Sequence, residues 1–316
     1  MCKVCGCGDA EVRIEGASHH HDHDHDGEHH HDHDHHHDHD HHHHHAENGH
    51  DIHFGHGSAG THVGGVSQSH LVQIEQNILS KNDGFAQENR ARLGELGIVA
   101  LNLVSSPGAG KTTLLVETLS RMNSDFALAV IEGDQESAND AERIRETGVP
   151  AIQINTGRGC HLDAHMVGHA MDQLELARNS VLFIENIGNL VCPAGFDLGE
   201  AAKVVILSVT EGDDKPIKYP DAFAAADLML VSKIDLLPHV DFDVAHCIEH
   251  ARCVNPDIAV IELSAKTGSG MDQWTDWITT RQHRLLEDEK RTLEARLAQL
   301  NTALGTQEQS GEVQNA

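Results

Sequence analysis

Ser105-Ser106-Pro107-Gly108-Ala109-Gly110-Lys111-Thr112-Thr113 is the stretch that decides the fold. An apolar run, Ile98–Val104, leads into it, and Leu114-Leu115-Val116 continues from it with helical character. The spacing fits G-x-x-x-x-G-K-[ST], with Ser105 where the first glycine usually stands. Glycines at Gly108 and Gly110, with Ala109 between them, let backbone N–H groups close around phosphate oxygens. Lys111 is expected to neutralise the β- and γ-phosphates, and Thr112 to set a hydroxyl on Mg²⁺. Thr113 follows inside a helix whose positive end faces the anion. The plainer alternative is a glycine-rich strand-to-helix turn without a ligand. It has to explain why strand, loop, lysine, hydroxyl and helix all fall in register.

Outward from this loop, short apolar runs alternate with helical patterns: Ala127–Glu132, Ala151–Ile154, Ser180–Glu185, Val204–Val209, Leu228–Val231 and Ile258–Leu263. That rhythm predicts an α/β fold, a mainly parallel sheet flanked by helices. Leu71, Ile74, Ile78, Leu93 and Leu96 predict a helical hairpin leading into it. Ser232-Lys233-Ile234-Asp235, at the end of an apolar run, resembles the guanine-reading N/T-K-x-D element, with Ser232 in place of the usual Asn. Asp235 can accept from N1 and N2 of guanine, whereas adenine offers no such donor pair, and an unpaired buried carboxylate is a strong filter. Ser264-Ala265-Lys266 matches the second base-contacting loop, so GTP is the expected nucleotide. Asp134 and Glu185 each end a strand on the phosphate side and are the expected Mg²⁺ carboxylates, with solvated loop acids as the alternative. Lys111, Thr112, Asp134 and Glu185 thus form the expected catalytic set for nucleotide hydrolysis. No residue stands out as a base for the attacking water, so turnover should be slow.

Composition narrows the partners. The 316 residues carry 22 basic and 50 acidic side chains, a formal net charge of −28. Such a chain repels phosphate backbones and anionic lipids, which predicts neither a nucleic-acid nor a membrane partner. No apolar run of transmembrane length and no secretory-type leader is found, so a cytoplasmic protein is expected. Residues 1–17 are expected to be a Cys-rich metal-binding motif. Cys2, Cys5 and Cys7 put three thiolates within six residues, and a fourth ligand would be the amino terminus, a His or solvent. Tetrahedral coordination would suit Zn²⁺, and square-planar coordination Ni²⁺ or Cu²⁺. Residues 18–66 read as a disordered His/Asp tract that buffers metal, with 22 of the 30 histidines between His19 and His62. Residues 67–280 are expected to hold the P-loop domain, and 281–316 a charged helical extension and polar tail with a thin stripe of Leu286, Leu293, Leu297 and Leu300. Inside the domain, Cys160-His161 and Cys192 sit on loops near the nucleotide. They read either as a metal site sensitive to nucleotide state or as small buried residues.

These segments carry a family resemblance. Cys2-x-x-Cys5-Gly6-Cys7, the His tract, the phosphate loop, Gly159-Cys160-His161-Leu162-Asp163, Glu185-Asn186-Ile187-Gly188-Asn189-Leu190-Val191-Cys192-Pro193 and Glu211-Gly212-Asp213-Asp214-Lys215-Pro216 stand in the order of the HypB family. HypB proteins are GTPases of [NiFe]-hydrogenase maturation. The likeness spans about residues 1–280, and Ser at position 105 is the family's own choice. The resemblance implies a dimerisation-activated P-loop GTPase with a tight nickel site at Cys2, Cys5 and Cys7. It also implies a weaker nickel/zinc site at Cys160, His161 and Cys192, at a dimer interface dependent on GTP or metal. The implied partners are the HypA nickel chaperone and the hydrogenase large-subunit precursor. A urease-type nickel GTPase and a nickel storage protein are the competing readings. The Cys2-x-x-Cys5-Gly6-Cys7 head and Cys160-His161 argue against the former.

Overall fold

Strands that read as near-continuous Val, Ile and Leu runs must be covered on both faces, and the computed structural model covers them. It describes residues 13–15, 68–122, 126–135 and 139–312. The strands are β1 (Arg13–Glu15), β2 (Val99–Ser105), β3 (Leu128–Asp134), β4 (Ala151–Asn155), β5 (Val181–Glu185), β6 (Ala202–Ser208), β7 (Leu228–Ser232) and β8 (Ala259–Glu262). The helices are α1 (Gln68–Glu95), α2 (Lys111–Met122), α3 (Asn139–Arg145), α4 (Ala164–Gln173), α5 (Lys215–Lys218), α6 (Pro220–Ala224), α7 (Val244–Val254) and α8 (Met271–Glu312). They build one sheet in the order β1-β4-β3-β5-β2-β6-β7-β8. β2 to β8 all run parallel to their neighbours. β1 adds an antiparallel edge, with Arg13 opposite Asn155 and Glu15 opposite Gln153.

Alternation along each strand feeds two layers. Leu101, Leu103, Val130 and Phe183 pack against Leu114, Leu115 and Leu119 of α2 and Trp274 and Ile278 of α8. On the other layer, Ala100, Ile131, Ile152 and Ile184 meet Leu93 of α1 and Val167, Ala170 and Met171 of α4. Phe223 and Cys247 of α6 and α7 close over Val205, Leu207 and Met229. A fully buried aliphatic or aromatic side chain of this kind contributes about 1.5–3 kcal/mol. Trp274 buries its ring and still donates Nε1–H to Thr118 Oγ1 at 2.9 Å. The chain leaves β2, passes to the β3–β4 side, and returns to β6 on the other side. The loop after β2 therefore opens into the crevice at the topological switch point.

Three features depart from the sequence-based expectation. The expected hairpin over 71–96 is a single helix, α1, of 28 residues. Asn82, a residue suited to turns, spends its amide elsewhere: Nδ2 donates to Asp197 O at 2.7 Å and Oδ1 accepts from Ala164 N at 2.9 Å. No strand was expected in 1–17, yet β1 lies there. The helix expected from Arg281 is the unbroken continuation of α8, so the boundary at 280 falls inside a helix. Gln282 is buried and donates Nε2–H to Gly97 O at 3.1 Å, and Leu285 packs on the core. Leu293, Leu297 and Leu300 stay exposed further along. Cys2, Cys5, Cys7 and the tract of 18–66 lie outside the described residues.

Ending the chain after residue 280 should therefore lower unfolding stability by about 2 kcal/mol, from one buried hydrogen bond and part of a leucine. Ending it after residue 292 should leave stability unchanged in urea titrations of the two truncated chains.

Candidate nucleotide and metal site

The loop after β2 takes its shape from glycine. Gly108 and Gly110 have φ of 77° and 98°, a region that side-chain-bearing residues rarely enter. Lys111 Nζ donates to Ser105 Oγ at 3.0 Å, and Thr112 Oγ1 donates to Glu185 Oε1 at 2.7 Å. The loop after β5 comes close enough that a Cβ on Gly188 would sit 2.9 Å from Pro107 Cα. Gly108 to Thr113, Asp134, Glu185, Lys233, Asp235 and Ser264 to Lys266 all line one open cavity of about 680 Å³. That is within the range of small-molecule sites.

The loops expected to read the base are tied to the phosphate loop. Lys233, with φ of 60°, donates Nζ–H to Gly108 O at 2.7 Å. Ser232 Oγ donates to Ala109 O at 3.0 Å, so the serine in place of the usual Asn still holds the phosphate loop. Ser264 Oγ donates to Asp235 Oδ1 at 2.7 Å, which orients the carboxylate.

Beside the lysine stands an acid that sequence reasoning passed over in favour of Asp134. Glu132 is 2% exposed and lies opposite Glu185 in register on the neighbouring strand. Burial, then the charges of Glu185 and Asp134, push its carboxyl up to about 9. Burial raises Glu185 to about 7, against the pull of Lys111 and Thr112. Lys111 is lowered by burial, with Glu185 opposing. Among the described residues, Glu132 Oε2 and Glu185 Oε2 are buried without a hydrogen-bond partner. Two carboxyl oxygens so placed, with the Thr112 hydroxyl, fit a hard divalent cation such as Mg²⁺, whose charge would favour their ionised form. The signal available in the sequence was an acid inside an apolar run; that it stands level with Glu185 comes from the strand register.

A second cluster lies on the loops after β4 and β5. The ligand atoms of Cys160, His161 and Cys192 all lie within 4.8 Å of one another, with Cys160 Sγ 3.6 Å from His161 Nδ1. His161 is 5% exposed, and Phe196 packs on its ring at 4.0 Å between centroids. Burial alone would lower the imidazole, but hydrogen bonds and charge from Cys160 and Cys192 carry it up to about 9. Sulfur and imidazole donors suit borderline-soft ions such as Zn²⁺ and Ni²⁺. Cys247, by contrast, is a core residue, and Cys253 is exposed.

A buried polar chain that the motifs did not reveal joins the two sites. Asn186, next to Glu185, accepts at Oδ1 from Leu162 N at 3.1 Å and Ile187 N at 3.0 Å. Its Nδ2 donates to Asn102 Oδ1 at 3.2 Å, and Asn102 Nδ2 donates to Glu200 Oε1 at 3.1 Å. Glu200 lies 3.8 Å from buried Lys203, whose Nζ donates to the carbonyls of Pro193, Ala194 and Phe196, each at 3.1 Å. Those carbonyls belong to or follow the 3-10 turn Cys192–Gly195. One residue beside each metal-cluster loop is thus bonded into the chain that starts at the phosphate carboxylate.

Phosphate loop, base loops and buried acids on one parallel sheet define a nucleotide-binding domain. Residues 99–262 match the family described as CobW/HypB/UreG, nucleotide-binding domain, and the chain belongs to that family, in its HypB branch of hydrogenase maturation factors. It is 60% identical over 278 residues to the hydrogenase maturation factor HypB of Azotobacter vinelandii, covering 88% of this chain and 91% of the relative. With that of Escherichia coli K12 it shares 52% identity over 288 residues, covering 89% and 99%. Among solved structures, HypB from Helicobacter pylori in complex with nickel is similar at 40% identity and a TM-score of 0.62, covering 65% of this chain and 96% of that one. HypB from Archaeoglobus fulgidus is similar at 40% identity and a TM-score of 0.61, covering 64% and 99%. Among the described residues no helix is long and apolar enough to cross a membrane.

The two raised carboxyls make metal-free stability depend on pH. Each holds its proton to higher pH folded than unfolded, so the unfolded chain sheds protons first and gains on the folded one as pH rises. In chelator, the thermal midpoint should fall from about pH 5 to pH 9, the window spanned by the raised carboxyls of Glu185 and Glu132. Glu132→Gln should flatten that fall in scanning fluorimetry, and a variant profile parallel to wild type would contradict the role given to Glu132.

Proposed function

We propose that this chain is a GTP-hydrolysing nickel metallochaperone that assists insertion of Ni²⁺ into the [NiFe]-hydrogenase large-subunit precursor. The observation that carries the reading is the Asn186 bridge, which joins a phosphate-site carboxylate to a Cys/His/Cys cluster inside a HypB-family domain. Nickel is the cargo here and GTP the switch.

Asp235 accepts from guanine N1 and N2, held by Ser264, while Lys233 and Ser232 keep the base loops against the phosphate loop. Lys111 leaves Ser105 for the β- and γ-phosphate oxygens, where its charge offsets that developing on phosphoryl transfer. Thr112, Glu185 and Asp134, joined by Glu132, would hold Mg²⁺, which would neutralise charge between the β- and γ-phosphates. Among the described residues none stands out as a base for the attacking water, so hydrolysis is slow and serves as a timer. Thr112 holds Glu185, so a change at Thr112 would free the Glu185–Asn186 segment to shift, and Asn186 would pass that shift to Leu162 and so to His161. A cluster whose geometry follows the nucleotide can hold nickel in one state and release it in the other.

Cys2, Cys5 and Cys7 would take the incoming ion tightly, and the His tract of 18–66 would buffer it. GTP- or metal-dependent pairing of two copies would bring Cys160, His161 and Cys192 together with their counterparts. HypA would act as the exchanging nickel chaperone and the large-subunit precursor as acceptor, with Zn²⁺ able to occupy the same cluster.

Asp235→Asn should weaken GTP affinity roughly 10- to 150-fold, the worth of a charged hydrogen bond, and admit xanthine nucleotides. Nucleotide competition assays decide this; equal hydrolysis of ATP and GTP by the unaltered protein would sink the guanine reading.

For the coupling, nickel affinity of a chain lacking residues 1–62 should differ roughly 5- to 150-fold between GDP and a non-hydrolysable GTP analogue. Asn186→Ala should erase the difference without abolishing nucleotide binding. Identical affinities in the two states of the unaltered domain would remove the cluster from the mechanism.

A further inference from the structure

We propose that Asn82 and Asn89 of α1 are positioning residues of the Cys160–His161–Cys192 cluster, so that α1 clamps the two loops carrying it and sets how tightly they hold metal. The proposal rests on the reading of that cluster as a metal site. The two asparagines stand seven residues apart, about two helical turns, and so share one face of α1. Each is 5% exposed. Asn82 Oδ1 accepts from Ala164 N at 2.9 Å, and its Nδ2 donates to Asp197 O at 2.7 Å. Asn89 Nδ2 donates to Ala164 O at 2.7 Å and to Leu198 O at 3.0 Å. Ala164 comes three residues after His161, while Asp197 and Leu198 follow Phe196, whose ring packs on His161. Each asparagine therefore joins the loop of Cys160 and His161 to the loop of Cys192. Arg90, on the same stretch of helix, adds two bonds to the Asp197 carboxylate at 2.7 and 2.8 Å.

Two glycines let these segments approach so closely. A Cβ on Gly168 of α4 would stand 3.0 Å from Asn89 Oδ1. One on Gly199, whose φ is 89°, would lie 2.7 Å from Ala86 O and from Asn89 Cβ. Asparagine is a poor helix former, and Leu93 already gives α1 an apolar contact with the sheet. What the amides add is direction. A buried carbonyl that loses its donor is costly, so the loops are held in one arrangement rather than several. In that arrangement Phe196 covers the His161 ring, and the ligand atoms of the cluster lie within 4.8 Å of one another. Ligands ordered before the metal arrives bind it more tightly, because less ordering is left to the binding step.

The test is protection of Cys160 and Cys192 from iodoacetamide in the full chain, with free Ni²⁺ set by a chelating buffer and each cysteine read on its own peptide by mass spectrometry. The free thiolate is the nucleophile, so the Ni²⁺ concentration at half-protection reports the affinity of the cluster. Asn82→Ala and Asn89→Ala should each raise that concentration roughly 10-fold, the low end of what groups orienting a metal ligand contribute. Asn82→Asp keeps the acceptor for Ala164 and loses only the donor to Asp197. It should give a smaller shift in the same direction, and it decides the matter if the alanine variants do not fold. Arg92→Ala is the control. It removes bonds from α1 to Asp172 and to Met171 O near the far end of α4, which loosens the helix without touching either cluster loop. Its half-protection should match that of the unaltered chain. Unchanged half-protection in the asparagine variants would overturn the clamp. An equal shift in Arg92→Ala, or a matching loss of guanine-nucleotide affinity without Ni²⁺, would make α1 a general support and overturn it too. Cysteines that Ni²⁺ never protects in the unaltered chain would remove the metal reading itself, and the clamp with it.

Discussion

The carboxamide of Asn186 is the contact on which the rest of the arrangement hangs. It sits where β5 ends and takes three hydrogen-bonding groups that would otherwise be buried and unpaired, each worth about 1–3 kcal/mol if stranded. On one side is the loop of Cys160 and His161, on the other Asn102 in the middle of β2, and in the same backbone the carboxylate that holds Thr112. None of these can move far without breaking a buried bond. On the proposed function, local change at the phosphate end would be transmitted to the sulfur-rich end rather than absorbed.

Electrostatics works in the same direction. Glu132 and Glu185 are buried and Lys111 is half-buried in a crevice that the sheet topology creates, and the two acids face each other across adjacent strands. Buried carboxylates without partners are a cost that a folded chain keeps only where something compensates it. On the proposed function, a cation and a polyphosphate would supply that compensation together, which would couple their binding. The buried Lys203 plays the complementary part under the Cys192 turn, where three carbonyls replace its water. Metal cluster and phosphate site are thus two polar pockets in an otherwise apolar sandwich, joined by side-chain amides.

Much of this was legible in the residues. The seven parallel strands lie within two residues of the apolar runs that announced them, because strands buried on both faces need unbroken apolar sequence. The phosphate loop was legible because glycine, lysine and hydroxyl at fixed spacing serve a backbone conformation, which is a local matter. α1 was misread because the apolar positions cited for it break off between Ile78 and Leu93, while Asn82 in that gap finds its partners at Ala164 and Asp197, far along the chain. The end of the domain was misplaced for a similar reason. A charged surface helix and a core helix have the same period, and only the burial of Gln282 separates them.

By itself, then, the sequence determined the mainly parallel α/β sheet and the phosphate loop between an apolar strand and a helix, and it named the cysteines and histidines to be considered as metal ligands. These follow from periodicity and from spacings of a few residues, over which the chain has few alternatives. Tertiary structure alone decided that Glu132 rather than a surface acid faces Glu185, and that Cys192 meets Cys160 and His161. It also decided that Asn102, Asn186, Glu200 and Lys203 link the two sites. Those are contacts between segments tens of residues apart, set by strand order and register, and a lone Asn or Glu carries no local mark of the partner that burial will assign to it.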